Sequence, residues 1–374
     1  DHAGDLGRGC RAVPRLLPMT VHRYHRQTLL EGIGTKGQER LRSASVLVAG
    51  VGALGCAVAD HLVRAGIGHL RLIDRDLVEP TNLQRQCLFA EDDVGSPKAA
   101  AAATRLQAIN REVKLDIVVD DLRPTVASDM IVGCDAIADG LDNFATRFLL
   151  NDLSVKFGLP YAYGGAVGYE GTAAFLRPSP LQRQHLITRE ILEEDAGPCL
   201  RCLVPEAPPA HLTPTCDTAG VLGPVISVVA GLQAAALIQY LARETHHLPH
   251  VLTRFDARVM RMHQLDIRES RREDCSTCCE GQFDALENTI GNQATTICGR
   301  NLIQLLPPKP RPTDLDALHL RLSAHGTFER QPFLLRGTLK NELDEEGEPV
   351  GMTIFSDGRV FVHGMLDALS LIHI

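Results

Sequence analysis

Between residues 46 and 62 the chain reads VLVAGVGALGCAVADHL, with Gly50, Gly52 and Gly55 set between a strand-like apolar run and a helix-like pattern. Glycines at this spacing let the backbone turn tightly and approach a phosphate. The helix that follows offers free N–H groups and the positive end of its dipole. Asp74 closes the next strand-like segment, where a carboxylate can take the hydroxyls of a ribose. These residues alone fit an adenine dinucleotide or ATP. The segment DRDLVEPTNLQRQCLF then gathers Asp76, Asn82, Gln84, Arg85 and Gln86, and Lys98 opens a helical run soon after. Hydride transfer does not call for two cations here. Phosphoryl chemistry does, because Arg and Lys stabilise the charge that builds on a departing pyrophosphate. In DGLDNFATR, Asp139 and Asp142 stand at the C-terminal end of another strand-like run. Open α/β sheets bind ligands at that edge, and a carboxylate there can hold Mg²⁺ together with substrate phosphates. Taken singly, Arg85 and Lys98 read as solvated charges and Asp142 as a helix N-cap. Their order after one nucleotide-type loop argues for a site. No G-x-x-x-x-G-K-S/T occurs, so the chain is not a P-loop NTPase.

Cys199 and Cys202 form one C-x-x-C, and Cys275 and Cys278 form another. Four thiolates suit a closed, tetrahedral, structural zinc site that would clip distant segments together. A thioredoxin-type dithiol would sit at a strand-to-helix junction, whereas the first pair lies in a Pro-rich stretch. Cys279 adjoins the second pair, but Cys278 keeps the C-x-x-C spacing. Cys216 stands apart in PTCDTAGVLG, just ahead of a predicted helix, where a thiolate can be stabilised. The alternative is a spectator thiol. Cys10, Cys56, Cys87, Cys134 and Cys298 read as small packing residues, and His246 and His247 as surface groups.

The elements that must position these residues alternate. Residues 45–49, 69–76, 113–119, the CDAIADGLD run and PYAYGGAVG read as strands. Residues 53–65, the run after Ser96-Pro97, and DNFATRFLLNDLSVKFG read as helices, with Ser96 as N-cap and Pro97 at the first helical position. Strands separated by helices predict an α/β fold: a Rossmann-like, mostly parallel sheet with flanking helices. Residues 178–220 are Pro-rich and aperiodic, a long loop of the kind that is often functional. Residues 221–243 return to a helix, and LTRFDARVMRMHQLDI reads as two strands or a hairpin. LLPPKPRPTD reads as a linker into a small C-terminal α/β module with one helix and short strands. The expected division is an N-terminal extension at 1–18, a nucleotide-type α/β domain with its zinc site at 19–300, the module at 301–368 and a non-native tail at 369–374.

A net charge of −8 without a large basic run argues against a general nucleic-acid binder. The absence of Trp argues against a base-stacking platform. No apolar run reads as long enough for a membrane span, and the opening residues do not resemble a signal peptide. Eleven cysteines with two C-x-x-C pairs fit a reducing, cytoplasmic setting and metal or sulfur chemistry. The expected partners therefore include neither nucleic acid nor membrane.

From Arg23 to about Cys278 the sequence resembles the E1-like adenylyltransferases of the ThiF/MoeB/HesA type. RYHRQTLL, GVGALGC, NLQRQ, VGSPKA, DGLDNFATR, PCLRCLVPEAPP and TCDTAGVLGPV carry the resemblance, in the family's order. It implies adenylation of the C-terminal glycine of a ubiquitin-like sulfur carrier, ThiS-like or MoaD-like, with release of pyrophosphate. The cofactors implied are ATP, Mg²⁺ and Zn²⁺. It also implies Asp74 on the ribose, Asn82, Arg85 and Lys98 around the phosphates, and Asp142 on magnesium. Arg26 matches an arginine that reaches the neighbouring subunit's ATP, which implies a homodimer. Cys216 matches a position some members use in sulfur transfer. The module has no cysteine of its own, so the sulfur donor is expected to be a separate protein, such as a cysteine desulfurase or rhodanese. Two readings compete: an NAD-dependent oxidoreductase, for which no hydride-transfer acid or base is evident, and a non-catalytic binder of a ubiquitin-like protein.

Overall fold

A computed structural model describes residues 23–178, 195–207, 216–243, 248–287, 294–297, 302–305, 313–331, 333–344 and 347–364. The expected N-terminal extension, the tail at 369–374, Cys10, Cys298, His246 and His247 lie outside the described residues, as does most of the expected linker.

Two short helices, α1 (His25–Thr28) and α2 (Gly34–Ser43), precede β1 (Ser45–Ala49). Every residue of β1 is buried, as a central parallel strand covered on both faces must be. α3 (Ala53–Ala65) ends on Gly66 in the left-handed region, where glycine carries no Cβ penalty. Then come β2 (His69–Ile73), α4 (Lys98–Ile109), β3 (Lys114–Val118), α5 (Pro124–Met130), β4 (Ala136–Asp139), α6 (Phe144–Phe157) and β5 (Tyr161–Val167). α4 starts one residue later than expected, because Pro97 occupies the N-cap and Ser96 lies outside the helix. β6 (Glu170–Leu176), which the sequence did not signal, turns back on β5. α7 (Leu200–Leu203), α8 (Cys216–Ala219), α9 (Gly223–Ala242) and the hairpin β7 (Val251–Asp256) and β8 (Arg261–Asp266) complete the layer, with α10 (Asp284–Glu287) beyond it.

These strands form one sheet in the order β3-β2-β1-β4-β5-β6-β7-β8. β3 to β5 pair in parallel and β5 to β8 antiparallel. The order runs outward in both directions from β1, so a crevice opens at the C-terminal ends of β1 and β4. The two faces of β1 divide the core with a period of two. Val46 and Val48 pack with Leu62 of α3 and with Val229 and Leu237 of α9. Leu47 and Ala49 pack on the other side with Phe148, Leu150 and Leu153 of α6. α9 is long and apolar enough by composition to cross a membrane, which corrects the expectation that no run reaches that length. It lies against α2, α3, β5 and β6, as a helix that is apolar all round does in a core.

The close approach of β1 and β4 depends on glycine. Gly50 has φ +83°, and a Cβ there would stand 2.8 Å from the Gly140 carbonyl oxygen. A Cβ on Gly55 or on Gly140 would overlap the Gly50 carbonyl. Three glycines thus let the loops after β1 and β4 touch backbone to backbone.

The C-terminal unit consists of β9 (Ala294–Ile297), β10 (Leu302–Leu305), α11 (Leu315–Leu322), β11 (Gly326–Gln331), β12 (Leu334–Leu343), β13 (Pro349–Phe355) and β14 (Val360–His363). Its sheet has the order β11-β12-β13-β14-β10-β9 and pairs antiparallel throughout. The sheet takes in β9, ahead of the boundary expected at residue 300. Leu315 of α11 packs on Phe328, Leu335, Ile354 and Val362.

A buried latch fastens the segment after β6. Arg177 is fully buried and donates to the Asp195 and Leu248 carbonyls and to His250 Nε2 at 2.9 Å. To accept that bond His250 must be neutral, and burial together with the Arg177 charge pulls its pKa down to about 4. In the unfolded chain the same group takes up a proton near pH ~6.5. Its contribution is therefore whole above that pH and is lost as the pH falls toward 4. In urea unfolding at pH 7 and pH 5, His250→Gln should show a smaller drop in midpoint than the unmodified protein. An equal drop would remove His250 from the account.

Candidate active site

The crevice at the ends of β1 and β4 holds a cavity of about 370 Å³, a size suited to a small-molecule ligand. Gly50, Gly52, Asp74, Asp76, Arg85, Lys98 and Asp142 all line it. Residues from the ends of β1, β2 and β4 and from the segment leading into α4 therefore meet at one place. Asp74 accepts from Val51 N at 2.7 Å and from Asp76 N at 2.7 Å, so the carboxylate also holds the glycine loop in position. Burial pushes the Asp74 carboxyl above its usual range, against the pull of Lys98. Lys98 is buried and donates to Asp76 Oδ2 at 2.9 Å. A buried ammonium requires such a partner, and this one turns the cation toward the cavity wall.

Arg85 is half-buried, and its Nη1 donates to the Thr81 carbonyl at 2.8 Å. The turn beneath it explains Asn82. That side chain is buried, accepts from Glu79 N at 3.1 Å and does not line the cavity. The Asn82 backbone carbonyl accepts from Arg85 N and Gln86 N. Asn82 therefore shapes the turn that presents Arg85 and stands behind the cavity lining. Gly55 likewise lies outside the lining and serves the glycine contact instead.

Asp142 is exposed at the cavity. It is not the cap of α6: Asn143 is, with Oδ1 accepting from Thr146 N at 2.9 Å. The Asp142 carboxylate is thus available to the crevice, a donor type that fits Mg²⁺ bound through one carboxylate and phosphate oxygens. Sequence reasoning missed what supports it. Asp139 is fully buried and accepts from Arg147 Nε at 3.1 Å, the Tyr161 hydroxyl at 2.8 Å and Leu141 N at 2.9 Å. Arg147 also donates to the carbonyls of Leu141 at 2.7 Å and Gly164 at 2.8 Å. Gln233 of α9 donates to the carbonyls of Asp139 at 2.9 Å and Ala162 at 2.8 Å. The loop carrying Asp142 is pinned on both sides. The sequence places Asp139 at the strand end but does not signal its partners Arg147, Tyr161 and Gln233.

Arg26 is exposed on α1 and does not line this cavity. Cys216 opens α8, which lies beside β5; its side chain lies outside the described residues.

The four expected metal ligands do meet. Cys199, Cys202, Cys275 and Cys278 are all buried, with their sulfurs within 4.8 Å of one another. Cys199 Sγ lies 3.8 Å from Cys202 Sγ and 3.6 Å from Cys275 Sγ, and Cys202 Sγ lies 3.5 Å from Cys278 Sγ. Zinc–sulfur bonds of about 2.3 Å in a tetrahedron require sulfurs about 3.8 Å apart, so the set fits zinc. Cys279 turns away to the Arg272 carbonyl at 3.2 Å. α6 clasps both cysteine segments: Asn151 Oδ1 accepts from Leu200 N at 2.7 Å, and Asp152 Oδ2 from Ala285 N at 2.9 Å.

The family model described as "ThiF family" matches residues 24–277. "Sulfur carrier protein ThiS adenylyltransferase" of Bacillus subtilis is 34% identical over 348 residues, 92% of this chain and 95% of that protein. "Sulfur carrier protein adenylyltransferase" of Thermus thermophilus is 38% identical over 69% of this chain and 90% of that one. "SAMP-activating enzyme E1" of Haloferax volcanii is 36% identical over 72% and 92%. Among solved structures, E. coli MccB with ATP superposes with a TM-score of 0.56 over 69% of this chain and 75% of that one, at 23% identity, which is a likeness of fold.

One zinc per chain is expected. Cys278→Ser should lower the zinc content measured by mass spectrometry, and Cys279→Ser should leave it unchanged. The reverse pattern would reassign the fourth ligand.

Proposed function

Because the chain belongs to the ThiF family, we propose that it is an adenylyltransferase that activates the C-terminal glycine of a ubiquitin-like sulfur carrier with ATP. The observation that carries the reading is the meeting of Arg85, Lys98 and Asp142 around one glycine loop. An oxidoreductase has no use for that set. A non-catalytic binder has no need to keep it.

In this reading a carboxylate oxygen of the carrier's terminal glycine attacks the α-phosphorus of ATP. The new bond is P–O to the carrier. The bond that breaks joins the α-phosphorus to the bridging oxygen, and pyrophosphate leaves with the electron pair. Gly50 and Gly52 let the phosphates approach the backbone and the N-terminus of α3. Asp74 takes the ribose hydroxyls. Arg85 and Lys98 face the charge that grows on the leaving group. Asp142 is the residue that would hold Mg²⁺, which when bound neutralises phosphate charge. Arg26, exposed on α1, serves the cavity of a second copy, so the working unit is a homodimer.

The carrier adenylate then passes to sulfur transfer in a cytoplasmic pathway, for the thiazole of thiamine or for molybdopterin. Similarity to a protein named for ThiS runs through nearly the whole chain, which favours a ThiS-like carrier. Cys216, at the head of α8, is the candidate residue for that later step. The sulfur itself comes from a separate donor such as a cysteine desulfurase or rhodanese.

With a carrier ending in Gly-Gly, the protein should exchange labelled pyrophosphate into ATP, and Asp142→Ala should lose the magnesium-dependent exchange by at least about a hundredfold, the usual scale for a preorganised electrostatic group. ATP with magnesium should bind, and NAD should not. No exchange with ThiS-like or MoaD-like carriers would overturn the reading, and a fully active Asp142→Ala would remove Asp142 from the site.

A further inference from the structure

The C-terminal sheet meets the adenylation fold at the cavity itself. Arg359, directly before β14 at the end of the β13–β14 turn, is 1% exposed. Its guanidinium donates to the Val119 carbonyl, lies 3.6 Å from Asp120 Oδ1 and bonds Asp357 Oδ2 at 2.7 Å. It also covers the Phe355 ring, 4.5 Å from the centroid. Val119 and Asp120 directly follow β3, and Asp120, Asp121 and Leu122 are a wall of the cavity.

From that wall a line of alternating charges runs inward. Asp120 bonds Arg123 at 2.6 Å, and Asp121 bonds Arg75 at 3.1 Å. Arg75 lies 3.7 Å from Asp76, which holds Lys98 at 2.9 Å. A second contact is apolar. Leu77, next to Asp76, packs on Leu334, Phe355 and Phe361 of the C-terminal unit. A side chain at Gly95, on the same segment that leads to Lys98, would come to 3.8 Å from Gln331 Nε2. The unit therefore grips the chain after β2 and after β3, the two segments that form one side of the cavity.

We infer that the C-terminal sheet is a clamp on the nucleotide cavity and that Arg359 is a positioning residue for ATP, rather than the sheet being an independent appendage. Arg359 touches no substrate. It fixes the Val119–Leu122 wall and, through Asp121, the place of Arg75 at the cavity. A buried arginine that bonds a backbone carbonyl and a carboxylate across two folding units loses those partners if either unit shifts. The wall is held accordingly. Loosening the clamp should weaken the hold on ATP in the ground state and the transition state alike. That raises KM for ATP and leaves kcat in place.

This rests on the adenylation reading above, and wild-type pyrophosphate exchange tests that reading separately. The clamp is tested by Arg359→Met and Leu77→Ser in the full-length chain, with ATP and carrier varied in turn. Methionine keeps the length of the side chain, and because removing one member of a buried ion pair costs stability, the fold of each variant is checked first by circular dichroism. Each variant should raise KM for ATP by about tenfold, with kcat within about twofold and KM for the carrier unchanged. Arg359→Lys, which keeps the charge but not the fork, should recover only part of the loss. A folded Arg359→Met or Leu77→Ser with wild-type KM for ATP overturns the clamp, as does a variant that loses kcat alone. Should Arg359→Met fail to fold, Leu77→Ser decides the same question. Absence of exchange in the wild type would instead sink the adenylation reading.

Discussion

The site depends on one steric allowance: two loops that touch backbone to backbone. A side chain at Gly55 or Gly140 would collide with the Gly50 carbonyl, and Gly50 itself holds a left-handed backbone. With all three as glycine, the loop after β4 rests on the loop after β1. Asp142 is two residues beyond Gly140, and Gly52 is two beyond Gly50. A carboxylate is therefore delivered to the same cavity as a phosphate-type loop. Without that contact, Arg85 and Lys98 would stand before a glycine turn with no acid opposite.

Support for this arrangement comes from charge placed where water cannot relax it. Asp139 and Arg147 hold the strand end beneath Asp142, and Gln233 ties the same strand to α9. α6 extends the arrangement outward. Its N-terminus follows Asp142, and its middle turns, through Asn151 and Asp152, grip the two segments that bring the four cysteines together. A zinc on those thiols would lock the far end of the helix whose near end sets the site. On the other flank the C-terminal sheet holds the walls after β2 and β3 through Arg359 and Leu77.

Much of this was legible in the sequence where the signal was local. The strand–glycine–helix succession placed β1 and α3 within a residue, and the C-x-x-C pairs named the four thiols. Residues whose role is set by a distant partner were read less well. Asn82 and Gly55 stand among nucleotide-type residues, and sequence alone does not separate a group that faces a ligand from one that shapes the turn behind it. Gly140, Gln233 and Tyr161 gave no signal, because their partners lie on other strands. Nothing local marks Arg359, and only the meeting of two sheets buries it. β6 escaped notice because its residues are small and lack clear alternation.

The central claim is that the carrier's own carboxylate attacks the α-phosphorus of ATP in this cavity. A carrier with heavy oxygen in its terminal glycine carboxylate tests it directly. After reaction with ATP and trapping of the acyl-adenylate by hydroxylamine, mass spectrometry of the released AMP reads the label. The account predicts AMP carrying one heavy oxygen from the carrier. Unlabelled AMP would contradict it, because the carboxylate would then never have bonded the phosphorus.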